Sequence, residues 1–148
     1  MFEKLTEKYL DNLLELEQEL FSLPWTKEMF EFELNQNPFS NIIGYFDNSQ
    51  LIGYIGYWIT DDNAQITTLG VRKDYQKQGI GQRLIKYVTQ KAKNAKCILI
   101  TLEVRVSNQS AINLYLKEGY KINHIKEKYY YDNGEDAYYM IKDLRGDL

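Results

Sequence analysis

Gln65-Ile66-Thr67-Thr68-Leu69-Gly70-Val71 leads through Arg72-Lys73-Asp74-Tyr75 into Gln76-Lys77-Gln78-Gly79-Ile80-Gly81, and then into Gln82-Arg83-Leu84-Ile85-Lys86-Tyr87-Val88. The first seven residues are rich in β-branched side chains and read as a strand. The last seven carry apolar residues at helical spacing. A strand that delivers a glycine-containing turn to a helix N-terminus makes a cradle for phosphate. The helix end offers unpaired N–H groups and a partial positive charge. Gly79 and Gly81 let the backbone approach a ligand with no Cβ in the way. The same stretch also fits an ordinary strand–helix loop. It is not a Walker loop, because no Gly-Lys-Ser/Thr follows. It is a poor dinucleotide fingerprint, because the strand is not the first of the chain and a third glycine is missing.

Outward from this stretch, Leu5 to Phe21 reads as an amphipathic helix with Leu10, Leu13, Leu14, Leu16 and Leu20 on its apolar positions, stopped by Pro24. Thr26 can cap a second short helix, which Pro38 ends. Asn41–Phe46 and Leu51–Thr60 read as strands joined by a turn at Asp47-Asn48-Ser49-Gln50. The helix after the glycine turn should reach about Lys93. The run from Cys97 to Val104 is nearly all apolar and suggests a central strand buried on both faces. Ser107-Asn108-Gln109-Ser110 can cap a helix through Leu116 that Gly119 ends. Tyr120–Glu127 and Glu135–Leu144 read as a closing hairpin. The order β-α-α-β-β-β-α-β-α-β-β, its first strand weak, predicts one α/β (α+β) domain over residues 1–148.

Composition narrows the function classes. The chain has 148 residues, 44% hydrophobic and 26% charged, with no apolar run of membrane-spanning length. The front lacks the apolar stretch of a signal peptide, and a single cysteine, Cys97, fits a reducing cytoplasm. One cysteine and one histidine argue against a zinc site, and no metal is expected. A net charge of −3 with scattered lysines argues against direct nucleic-acid binding.

A second candidate site is Leu102-Glu103-Val104-Arg105-Val106-Ser107-Asn108, with Tyr115 downstream. An isolated carboxylate at the end of an apolar strand is costly to bury. Glu103 is therefore either ion-paired with Arg105 or a lysine, or a general base whose pKa partial burial raises. Asn108 suits a helix cap. Tyr115 suits the core or, aimed into a cleft, a proton donor. His124 lies between Ile122 and Ile125 and is expected to be structural. Tyr129-Tyr130-Tyr131 and Tyr138-Tyr139 suit a packed hairpin or, beside a cleft, a grip on a peptide end.

Together these pieces resemble the GNAT superfamily of acetyl-CoA-dependent N-acetyltransferases. Gln76, Gly79 and Gly81 match its Gln/Arg-x-x-Gly-x-Gly/Ala signature. The likeness extends over nearly the whole chain to the bacterial branch that acetylates ribosomal-protein N-terminal alanine: Leu23-Pro24-Trp25, Val71 to Gly81, Leu102 to Asn108, Ala111 to Tyr115, Gly119-Tyr120, Tyr129-Tyr130 and Gly134 to Ala137. The resemblance implies a mostly antiparallel mixed sheet flanked by helices, with acetyl-CoA as co-substrate. It implies that the Leu69-Gly70-Val71 backbone lines the acetyl and pantetheine arm. Lys77, Gln78, Gly79, Ile80, Gly81 and Gln82 would hold the pyrophosphate, and Asn108 would contact the cofactor. Glu103 would be the base and Tyr115 the acid, with Trp25, Tyr130 and Tyr138 on the acceptor side. The implied partner is a protein N-terminus, that of a ribosomal protein. Another amine, or acyl-CoA binding without catalysis, stays open as an alternative. Thr68-Leu69-Gly70-Val71 departs from the family's frequent Asn-Ile-Ala-Val, and Tyr131 from a frequent proline.

Overall fold

The computed structural model describes residues 1–147. Seven strands form one sheet in the order β1-β2-β3-β4-β5-β7-β6. They are β1 (Phe2–Lys4), β2 (Ser40–Asp47), β3 (Gln50–Thr60), β4 (Asn63–Val71), β5 (Leu99–Arg105), β6 (Lys121–Lys126) and β7 (Ala137–Asp143). Four helices, α1 (Leu10–Leu20), α2 (Lys27–Asn35), α3 (Ile80–Asn94) and α4 (Gln109–Lys117), pack on the two faces. All strand pairs are antiparallel except β4–β5, so the expected mixed, mostly antiparallel α/β architecture holds.

Local chemistry explains the elements. Asn48 and Ser49 take left-handed φ values of 48° and 68°, the geometry of a tight two-residue hairpin between β2 and β3. The Thr26 hydroxyl accepts the Met29 N–H at 3.2 Å and caps α2. The helix expected from Leu5 begins later: Glu7–Tyr9 is a 3₁₀ turn and α1 starts at Leu10. It ends at Leu20 because Phe21 turns extended, at φ −127° and ψ 140°.

One irregularity makes the cleft. Gly56 is paired with Thr68 but Tyr57 with Ile66, so Thr67 is an extra residue on β4. β4 and β5 pair only over Asn63–Gln65 against Leu99–Thr101, and then part. Helices α3 and α4 cover one face: Leu84, Ile85, Val88 and Ile112 pack over Ile100, Leu102 and Met140. Helices α1 and α2 cover the other face, where Leu13, Leu16 and Phe30 meet Ile42, Leu51 and Tyr54 of β2 and β3. The expectation that β5 is buried on both faces is therefore corrected. Ile100, Leu102 and Val104 are buried, whereas Thr101, Glu103 and Arg105 are half-buried on the side that the second helix layer leaves open. Among the described residues no helix is long and apolar enough to cross a membrane.

Candidate active site

The last residues of β4, with the end of α1 and the starts of α3 and α4, bound a cleft of about 530 Å³. Leu69, Gly70, Val71, Lys77, Gly79, Ile80, Gly81, Gln82 and Asn108 all line it. Lys77 (φ 64°) and Gly79 (φ 81°) are left-handed, and Gly79 is the N-cap of α3 without any side-chain cap. The first N–H groups of α3 thus open on a concave turn suited to an anion. A Cβ on Gly79 would meet nothing within 4 Å, so that side of the turn is open. Gly81 serves differently: its Cβ would lie 3.1 Å from Leu114 Cδ2, so its smallness lets α3 close on α4. Gln78 is not among the lining residues, and its side chain turns back toward the Asp74 carbonyl at 3.5 Å. The Gln82 side chain is held by Glu118, at 2.9 Å.

Beneath the β4 wall lies a buried polar network. Glu17, only 1% exposed, accepts the Trp25 backbone N–H at 2.9 Å, the Thr68 hydroxyl at 3.3 Å and the Tyr54 hydroxyl. Burial raises the Glu17 and Tyr54 pKa values. A Cβ on Gly70 would meet Tyr54, so glycine at this departure from the family pattern makes room for the tyrosine beneath it.

The cleft continues into a smaller space of about 200 Å³, lined by Glu103, Tyr115, Tyr130, Trp25, Arg105, Asn108 and others. The two candidate catalytic side chains therefore share one cavity. Glu103 lies inside β5 rather than at its end. It pairs with Lys126 Nζ at 2.7 Å, not with Arg105. Tyr115 is buried, which raises its pKa, with the Tyr130 hydroxyl adding to the effect. Asn108 caps α4 by accepting the Ala111 N–H at 3.2 Å while lining both spaces. Burial pushes the Tyr130 hydroxyl up to about 12. Tyr138 is not brought to this cavity. It is paired with Val104, on the face opposite Glu103 and Tyr139, and packs on the main core. Its expected acceptor-side role is corrected by the alternation of side chains along a strand.

Arg105 ties the walls together. Its guanidinium bonds Asp132 at 2.9 Å and Glu135 at 3.2 Å, and stacks 3.9 Å from the Tyr130 ring centre. Asp132 also accepts the Ser22 hydroxyl at 2.9 Å, joining the β6–β7 connection to the α1–α2 connection. Glu135 accepts the Ser107 N–H at 2.8 Å; bonding by Ser107, then by Arg105, holds its carboxyl below the ordinary range.

Residues 10–120 match the Acetyltransferase (GNAT) family model. The chain belongs to the GNAT family. A Bacillus subtilis relative, provisionally named a ribosomal protein bS18-alanine N-acetyltransferase, is 39% identical over 131 residues, 88% of this chain and 87% of its own. The N-alpha-acetyltransferase RimI of Mycobacterium tuberculosis is 32% identical, over 94% of this chain and 89% of its own. The crystal structure of the ribosomal-protein-S18-alanine N-acetyltransferase from Escherichia coli superposes with a TM-score of 0.89 at 27% identity, covering 97% of this chain and 93% of that one.

Sequence reasoning missed three contributors to this GNAT site. Glu17 sits between Leu13 and Leu20 on the apolar stripe of α1, and an acid in that stripe was a legible sign of a buried role. Phe21 lines both spaces, and only the early end of α1 brings it there. Lys126 had no local signal, because its partner Glu103 is 23 residues away.

Proposed function

We propose that this GNAT chain transfers the acetyl group of acetyl-CoA to the α-amine of a protein N-terminus, with N-terminal alanine of a small-subunit ribosomal protein as the acceptor that the names of its relatives favour. The observation that carries the choice of a chain end is the Ser22–Asp132–Arg105 bridge. It joins the two connections that flank the acceptor space. A chain end can enter a mouth tied on both sides, whereas an internal segment presenting a lysine would have to pass across it.

The uncapped first turn of α3 and the open side of Gly79 fit the pyrophosphate of a CoA thioester. The thioester supplies an activated acyl carbon. Trp25 and Tyr130 wall the acceptor. Glu103 accepts the proton lost by the amine, and Tyr115 returns one to the departing sulfur. An N–H near Val71 faces the developing oxyanion. An α-amine has a pKa near 7.7–8.0 against about 10.4 for lysine, so deprotonating it at neutral pH costs about 3.5 kcal/mol less, and one carboxylate is an adequate base.

The test is acetylation of two peptides read by mass spectrometry: one with a free N-terminal alanine, the other blocked at its N-terminus and carrying lysine. Acetyl transfer to the free terminus alone is expected. Transfer to lysine alone overturns the reading.

A further inference from the structure

Lys126, the last residue of β6, takes part in none of these steps, yet it holds the carboxylate on which they turn. Its Nζ donates to Glu103 Oε1 at 2.7 Å and lies 4.7 Å from the Tyr139 ring centre and 5.5 Å from that of Tyr129. One carboxylate and two aromatic rings around a single –NH₃⁺ make a site for a primary ammonium. The hydrogen bond to Glu103 raises the Lys126 pKa, against the opposing effect of burial, so the occupant is a cation.

Most α-amines are still ammonium ions near neutral pH. Such a cation cannot settle on Glu103 while Lys126 is there, because two like charges would share one half-buried carboxylate. Of the pair, Lys126 is the one able to leave. Its side chain is 35% exposed against 13% for Glu103, and it stands on the outermost strand with a flexible stem beside solvent.

We propose that Glu103, Tyr129 and Tyr139 form a primary-ammonium site that Lys126 fills in the free protein and that the acceptor's α-ammonium takes over in the complex. This rests on the reading of Glu103 as the base for an amine acceptor. Lys126 then determines specificity. An acceptor also held by the Trp25 and Tyr130 walls displaces it, whereas a small free amine, lacking those contacts, does not.

The test is steady-state acetylation of an N-terminal alanine peptide by the wild-type chain, Lys126→Met and Lys126→Arg, with ethylammonium as competitor. Lys126→Met should lower the peptide KM about three- to tenfold, with the change in KM rather than kcat. It should also make ethylammonium compete with peptide at several-fold lower concentration. Lys126→Arg, which keeps a cation on Glu103 and can hold a carboxylate through two bonds, should not lower the peptide KM and should leave ethylammonium a weak competitor. A peptide KM unchanged or raised in Lys126→Met, with ethylammonium acting alike on both proteins, overturns this inference and leaves the proposed function standing. A wild-type protein that acetylates no free N-terminus overturns both.

Discussion

A methyl group on Gly70 would stand 2.7 Å from the Tyr54 hydroxyl. The β4 wall of the cleft and the buried Glu17 network are thus fitted to one another: the tyrosine can reach Glu17 only because the strand above it carries no side chain there.

Gly70→Ala should therefore destabilise the fold by about 1–3 kcal/mol, the usual cost of overpacking. Urea denaturation measures it. A variant as stable as wild type would show that Tyr54 can move aside without loss.

Glu17 gives a pH signature. Burial raises its pKa above the ordinary 4.5, outweighing hydrogen bonds from Trp25, Tyr54 and Thr68. The folded state then keeps this proton longer than the unfolded chain. Its contribution is full below the unfolded value and is lost as pH rises through the folded one. Unfolding of wild type and Glu17→Gln compared at about pH 3.5 and at about pH 7.5 isolates the group. The wild-type advantage should shrink with rising pH; a constant difference contradicts the assignment.

Glu103→Gln should lower turnover by about 10²-fold or more near neutral pH, the scale of lost acid–base catalysis. Saturating acetyl-CoA and peptide separate this from binding. Unchanged kcat would remove Glu103 from the base role.

Arg105→Ala should act on the acceptor. It strands Asp132 and Glu135 without their shared cation and frees the Tyr130 ring. The peptide KM should rise about tenfold, while the KM for acetyl-CoA moves less than about twofold. Arg105→Lys should recover only part, because an ammonium lacks the planar fork that reaches two carboxylates. An equal rise in both KM values would mean that the whole cleft had been disturbed.

Much of this was legible because it is local. Period-two and helical patterns located the strands and helices, and the Thr26 and Asn108 caps announced two helix starts. Gly79 and Glu103 could be picked out as candidates, since a glycine turn between strand and helix and a carboxylate in an apolar strand are visible within a few residues. What stayed hidden was pairing across long separations. Arg105 meets Asp132, Ser22 meets Asp132, and Lys126 meets Glu103 only because β7 inserts between β5 and β6 and carries the connection back over the cleft. The side of the sheet that Tyr138 takes follows from strand register, which its own neighbours do not specify.

The bulge at Thr67 has one more effect. From Ile66 onward β4, and from Leu102 onward β5, run without each other as partners, although both lie in the middle of the sheet. A bare strand border ordinarily invites another chain to add to it and so seeds aggregation. Here the two bare borders lie inside the sheet, beside the cavities that α3 and α4 help to line, and not at its outer edges. Among the described residues, the outer strands of the sheet are β1 and β6. The first is three residues long, and the second carries lysines and an irregular register.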